Sequence, residues 1–389
     1  MNDTSPAVTV VLDPGDDAAI TRAALAAHDP AAGRVTVHPA PGTRSDLYFA
    51  HDVLAALGKP ADLPGFTLSR APVWEAATAW MAAIPVRRLT VLRAHLLTRE
   101  RLRRLLDLRA FTGAHLVLVC HRARLTAALN DTLTDVPCTL THARAGFFAE
   151  SAESAEFANS VELAARGLDG PAARRRTDGG WITVPALDRL ADWDGQERCT
   201  GCLPPPISWR YRPRPSPCSP RTTAEIAHRI HTVTAHPRLA AALAAAVFTG
   251  AAGQQLGTVR LADWDREAST LALHDPAGEV DGCATHPVPA WAALFLDAAV
   301  HFTPLAPVPG LPLLIGPEEH PALLRLAEQA RLRPPQPDTD NASDAVSVRG
   351  VEWFYRQLKE TGLDSEAPQP VRRPRLRGRR AENPSAAAP

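Results

Sequence analysis

A regular alternation of short apolar runs and helical patterns in the first third of the chain constrains the fold most. The strand-like runs lie in AVTVVLDPG, GRVTVHPAP, RRLTVLRAHLL and AHLVLVCHR, and helical periodicity marks DAAITRAALAAH, SDLYFAHDVLAALG and RERLRRLLDLRAF between them. Strands that alternate with helices are joined by crossovers, which make them parallel in one sheet with helices on both faces. Residues 1–165 are therefore predicted to form an α/β parallel-sheet N-terminal domain.

The composition limits the class of partner and the compartment. The 389 residues suffice for two or three domains, and the formal net charge of zero means that only a local basic patch could attract nucleic acid. The start, MNDTSPAVTVVLDPG, lacks the basic and apolar regions of a signal peptide. The longest apolar run, LAAALAAAVF, is about ten residues and cannot span roughly 30 Å of hydrocarbon. We expect a cytoplasmic protein with no membrane partner.

The stretch LTVLRAHLLTRERLRRLLDLRAFTGAHLVLVCH has the arrangement of a Walker B strand, its helix and the next strand. Residues 8–145 thus resemble AAA+ and related P-loop ATPases, especially the helper ATPases of transposition systems. The resemblance implies a GxxxxGK[ST] loop after the first strand, but the chain has DPGDDAAIT there, with no lysine and with two adjacent aspartates. Leu92 and Arg93 stand where the Walker B acids would be, and Lys59 follows a later helix. We expect no ATP binding or hydrolysis.

The segment FTGAAGQQLGTVRLADWD has the frame of a second family. It resembles the first catalytic box of tyrosine recombinases of the phage-integrase type, and the matching positions are Thr249, Gly250, Leu256, Arg260, Asp263 and Asp265. The resemblance extends from residue 222 to about residue 335, because a strand, turn, strand and helix follow in family order. It implies a mainly α (α+β) tyrosine-recombinase-like C-terminal domain, predicted as residues 222–363.

The catalytic groups of that family are missing. Ala252 stands in place of the first arginine, the turn HDPAGEVDG holds no lysine, and no His-x-x-Arg follows. Tyr355 is the one tyrosine after the motif, and it is either a core residue beside Trp353 and Phe354 or a nucleophile. Because recombination needs arginines, a general acid and a tyrosine together, we expect no cleavage and assign no catalytic residue.

Residues 166–221 are predicted to be a linker rich in proline and arginine. Three cysteines, Cys199, Cys202 and Cys218, are either ordinary thiols or a zinc site completed by His228 or His231. Zinc is the one cofactor left open. Arginines that flank Trp209 and Tyr211 either are solvated or line a nucleic-acid groove; they are Arg210, Arg212 and Arg214.

The C-terminal segment, residues 364–389, is predicted to be a disordered basic tail. Its arginines would attract any polyanion at a salt-dependent affinity; they are Arg372, Arg373, Arg375, Arg377, Arg379 and Arg380.

Together these features predict a catalytically inactive DNA-binding or scaffolding accessory protein of a mobile genetic element. Its expected partners are DNA and an intact integrase or transposase. The alternative is an enzyme: a divergent recombinase that uses Tyr355, or an ATPase that a partner activates.

Overall fold

The computed structural model describes residues 8–40, 45–61, 63, 72–143, 148, 180–193, 219–274, 283–306 and 312–335. Within these ranges, no helix combines the length and apolarity needed to cross a membrane.

Five parallel strands form one sheet in the order β2-β3-β4-β1-β5. The strands are β1 (Val8–Leu12), β2 (Arg34–Val37), β3 (Arg88–Val91), β4 (His115–Cys120) and β5 (Cys138–His142). Every residue of β1 is buried, since β4 and β5 flank it and helices cover the sheet, which is why its sequence is a continuous apolar run. The predicted α/β parallel sheet is confirmed.

The described residues of this part of the chain form five α-helices: α1 (Ala18–Ala26), α2 (Asp46–Ala56), α3 (Val73–Ala83), α4 (Arg99–Thr112) and α5 (Ala127–Leu133). Polar side chains cap four of them by accepting a hydrogen bond from a backbone N–H in the first turn; the capping residues are Asp17, Ser45, Thr98 and Thr126. Helix α4 ends at Gly113, whose φ of 72° is left-handed and favours glycine.

The described remainder is largely helical, as predicted. Its helices are α6 (Pro220–Val233), α7 (Pro237–Thr249), α8 (Gly253–Leu256), α9 (Ala290–Leu305) and α10 (His320–Gln329). A small antiparallel sheet lies between α8 and α9 in the chain; its strands are β7 (Trp264–Asp265), β8 (Thr270–Leu273) and β9 (Ala284–Pro287). Helix α7 is buried almost throughout, because alanines let its neighbours approach on all sides.

Residues 180–193 lie inside the segment predicted to be a linker, and the structure gives them a packed position. Strand β6 (Ile182–Thr183) pairs in parallel with β10 (Leu332–Arg333). The apolar side chains of Val184, Leu187 and Leu190 are buried in the core. We call residues 180–193 the covering segment.

We call the described residues up to 148 the sheet part and the described residues from 180 onward the helical part. The two parts share one hydrophobic core. Helix α3 packs against α9 and α7, and the Trp80 indole N–H donates to the Ala235 carbonyl at 2.8 Å. Lys59, fully buried, donates to the His231 carbonyl at 3.2 Å and lies 3.2 Å from the centre of the Trp80 ring. Burial lowers the pKa of this lysine well below its usual value.

Candidate functional site

Polar side chains follow two neighbouring strands at the carboxyl edge of the parallel sheet. Asp13 follows β1 and His121 follows β4, and the Asp13 backbone N–H donates to the Cys120 carbonyl at 2.9 Å. The Nδ1 atom of His121 lies 2.9 Å from an oxygen of Asp13 and 3.1 Å from an oxygen of Asp16. The carboxyl edge is where α/β sheets bind ligands, so this trio is a candidate site. We call it the edge cluster.

The turn after β1 holds the two carboxylates in place. The backbone N–H of Asp17 donates to Asp13 Oδ2 at 3.0 Å, and Asp16 has a left-handed φ of 46°. The side chains of Asp13 and His121 are buried, whereas that of Asp16 is 49% exposed. Of these three side chains, only that of Asp16 is in contact with solvent to a large extent.

Strand β3 supplies no acid to this edge. Leu92 is fully buried in a small apolar cluster beside Val11 and Val117. Arg93 follows with a left-handed φ of 53° and lies 3.6 Å from Asp16 Oδ2. Thus β3 is followed by a core leucine, Leu92, and by a cation, Arg93, that neutralises part of the edge cluster's charge.

His95 contacts the cluster from the same loop. Its Nδ1 accepts a hydrogen bond from the His121 backbone N–H at 3.3 Å, and the two rings meet edge to face with 5.8 Å between centroids. Burial, with the charges of His121 and Arg122 next, lowers the pKa of His95. A neutral His95 accepts this hydrogen bond without competing with Arg93 for the carboxylates.

In residues 248–265, whose sequence resembles the first recombinase box, polar side chains contact the local backbone and nearby side chains. Helix α7 ends at Gly250, and the Thr249 hydroxyl donates to the Ala245 carbonyl at 2.6 Å. Asp263 accepts from the Arg260 backbone N–H at 2.7 Å and lies 3.2 Å from His274 Nε2. These contacts hold the local turn.

Ala252, at the position where the resemblance to recombinases predicts an arginine, is fully buried at the start of α8. The covering segment closes the space beside it: the Leu190 carbonyl accepts from His320 Nε2 at 2.9 Å, and Trp193 packs on His320 with 4.8 Å between ring centroids. A Cβ atom added to the next residue, Gly253, would lie 2.5 Å from His320 Nε2. Ala252 is therefore enclosed, and its neighbour Gly253 has no room for a side chain.

Helix α7 also contains an arginine, Arg238, that a buried ion pair holds in place. Arg238 of α7 is fully buried and donates from both terminal nitrogens to Glu319, each at 2.7 Å. Its Nε donates to the Pro312 carbonyl at 3.1 Å. Because this guanidinium is fully buried and both of its terminal nitrogens pair with Glu319, it is not exposed to an incoming phosphate.

Most of the residues that the sequence singled out lie outside the described residues. They are Tyr355, Cys199, Cys202, Cys218, Arg210, Arg212, Arg214, Arg372, Arg373, Arg375, Arg377, Arg379 and Arg380. Of the two histidines considered for zinc, His231 is buried and its Nε2 donates to the Leu57 carbonyl at 3.1 Å, while His228 is partly exposed. Zinc binding at the cysteines stays a prediction.

The edge cluster was not identified from the sequence. A signal was present, because VTVVL and HLVLVC are each followed at once by a polar residue, Asp13 and His121. Parallel neighbours bring such residues together, but the sequence does not say that β4 lies next to β1.

Comparisons with protein-family models, with curated proteins and with solved structures gave no match to this chain.

Proposed function

We propose that this chain is a catalytically inactive accessory protein that binds DNA and scaffolds the recombination or transposition machinery of a mobile genetic element. The observation that supports it best is the complete burial of Ala252, the position at which the resemblance to recombinases predicts an arginine that holds the scissile phosphate. An enzyme loses a few kcal/mol of transition-state stabilisation for each missing phosphate donor, and here the corresponding residue is a buried alanine.

The sheet part supports the same proposal. A triphosphate needs backbone N–H groups and a cation at the first turn of a P-loop, whereas Asp13 and Asp16 place two carboxylates at this turn. When no cation is bound between them, their negative charge repels phosphate. Retaining this fold without its chemistry is consistent with a role in contacts between molecules.

DNA contact is assigned to the arginines at 210–214 and 372–380, and an intact integrase or transposase is the expected protein partner. The shared core of the sheet and helical parts suits a scaffold, because it fixes the distance between whatever binds each part.

The test mixes the full chain with nicked duplexes that trap covalent recombinase adducts. We expect salt-dependent DNA binding and no adduct on a denaturing gel. Replacing the six arginines between residues 372 and 380 by alanine should weaken binding uniformly across sequences and flatten the salt slope. A control in which the exposed Arg103 and Arg104 of α4 are replaced should bind as the wild type does.

Three outcomes contradict the proposal. An adduct that disappears in Tyr355→Phe identifies a divergent recombinase. Tight binding of ATP with magnesium in a calorimetric titration identifies an ATPase that a partner activates. Absence of DNA binding at low salt removes DNA as the partner and leaves a scaffold for proteins.

A further inference from the structure

We propose that Asp13, Asp16 and His121 bind one divalent transition-metal cation at the carboxyl edge of the sheet. Three donor atoms, two carboxylate oxygens and one imidazole nitrogen, lie within 4.8 Å of one another at this point. The inference concerns a site that the proposed function does not use, and it does not depend on that function.

The two distances between the imidazole nitrogen and the carboxylates fit a single small cation. His121 Nδ1 is 2.9 Å from Asp13 and 3.1 Å from Asp16. Ligands held at about 2.0–2.2 Å around a four-coordinate cation lie roughly 3.3 Å apart, so shifts of a few tenths of an ångström admit the ion.

A single proton on His121 cannot make good hydrogen bonds to both carboxylates of the edge cluster. Both carboxylates face the same nitrogen, which carries at most one N–H and can direct it well at only one of them. A cation in place of that proton bonds to all three atoms and neutralises both carboxylates. This arrangement is the observation that points to a ligand.

The His121 ring has no other hydrogen-bonding use in the part of the chain that the structure describes. Its side chain is 2% exposed, and its other nitrogen, Nε2, is buried and has no hydrogen-bond partner among the described residues. Among the described residues, the polar contacts of this buried imidazole side chain are therefore those within the edge cluster.

The first ligands are already held in place. Asp13 accepts from the backbone N–H of Asp17, and the His121 ring packs edge-on against His95. Asp16, half exposed, closes the site from the solvent side. Such ordering before binding reduces the entropy that a cation must overcome.

The donor set selects the class of cation. Magnesium and calcium prefer oxygen ligands throughout, whereas manganese, iron, cobalt and zinc accept imidazole together with carboxylates. Three protein ligands leave coordination positions for water or for a group from another molecule.

The experiment titrates the full chain with Mn²⁺ and follows the free ion by electron paramagnetic resonance. Mn²⁺ is chosen because Cys199, Cys202 and Cys218 would compete for zinc but bind manganese poorly. We expect one ion per chain, with pulsed spectra that show coupling to an imidazole nitrogen. Asp16→Asn and His121→Gln should each weaken Mn²⁺ binding by more than about tenfold. Removal of a residue that only hydrogen-bonds to a metal ligand already costs at least about tenfold in affinity, and removal of a ligand should cost more.

The matched control is the partly buried pair of Asp263 and His274, which has a similar spacing of 3.2 Å and a single carboxylate. His274→Gln should leave Mn²⁺ binding unchanged, and Arg93→Ala should strengthen it because a competing cation is removed. Circular dichroism shows that each variant is folded; Asp16→Asn, which alters a half-exposed side chain, is the least disruptive. Absence of Mn²⁺ binding at millimolar concentration, or binding that both Asp16→Asn and His121→Gln leave unchanged, overturns the proposal.

Discussion

At the scale of single residues, the pair of Arg238 and Glu319 is the most consequential polar contact in the helical part. Arg238 is fully buried while Glu319 is 19% exposed, so the pair joins α7 to the loop before α10 in a region of low dielectric. Replacing only the acid leaves an uncompensated buried cation.

Glu319→Ala should therefore lower the free energy of unfolding by about 3–5 kcal/mol, measured by urea denaturation. The neighbouring Glu318, which is exposed, provides the control, and Glu318→Ala should change stability little. Equal stability of the two variants would show that the buried pair contributes nothing beyond a surface charge.

A second residue, His236, makes stability depend on pH. Burial, with nearby Arg238 second, lowers its pKa from 6.5 to about 3. As the pH falls, His236 therefore becomes protonated near pH 6.5 in the unfolded chain but only near pH 3 in the folded chain. The resulting stability is complete above pH 6.5 and is lost as the pH falls toward 3.

Lowering the pH from 6.5 to about 5 should cost roughly 2 kcal/mol through this residue alone. His236→Asn should remove that part of the dependence while keeping a side chain that can cap α7. Urea titrations at both pH values measure the difference. A variant with the same acid sensitivity as the wild type would assign the effect to other groups, such as the buried His231.

At the scale of elements, the parts predicted correctly from sequence are those with a simple pattern of burial. Strands β1 to β4 are apolar runs, and helices α1, α2 and α4 have helical periodicity with a polar cap. Helix α3 is buried on nearly every face, so its sequence has no polar stripe to identify it. Strand β5 is mostly exposed, so CTLTH is not an apolar run.

The sequence does not predict the packed position of the covering segment, and the reason is a different one. Its neighbours in the chain are rich in glycine, proline and arginine, and that composition indicates a linker. The packing of Leu190 and Trp193 against α8 and His320 is a contact between residues far apart in the chain, which local pattern does not encode. The sequence shows that residue 252 is an alanine, but it does not show that this alanine is enclosed by residues far away in the chain.

Gly253→Ala tests that packing directly. The added Cβ would lie 2.5 Å from His320 Nε2 and 2.8 Å from the Leu190 carbonyl, so the covering segment must move. We expect a loss of about 1–3 kcal/mol, measured by thermal or urea unfolding. The control is Gly15→Ala, where nothing lies within 4 Å of the new atom. Indifference to Gly253→Ala would mean that the covering segment does not rest on α8.

At the scale of the whole molecule, the sheet part and the helical part are joined by apolar packing and by backbone hydrogen bonds. Trp80 lies between them: its ring meets Phe295 edge to face at 6.1 Å and its N–H reaches the Ala235 carbonyl. Lys59 and His231 bridge the same boundary through carbonyl groups of the opposite part. A boundary built this way transmits unfolding from one part to the other, because neither part keeps a closed core alone.

Trp80→Ala should therefore destabilise both parts together, by about 3–5 kcal/mol, the usual cost of truncating a buried tryptophan. Hydrogen exchange provides the measurement: the amides of β1 in the sheet and of α7 in the helical part should lose protection by the same free energy. Trp181→Ala, which alters a side chain that is 44% exposed, should leave both sets of amides protected. If β1 exchanged faster while α7 kept its protection, the two parts would be independent folding units that only touch, and the fixed geometry expected of a scaffold would be lost.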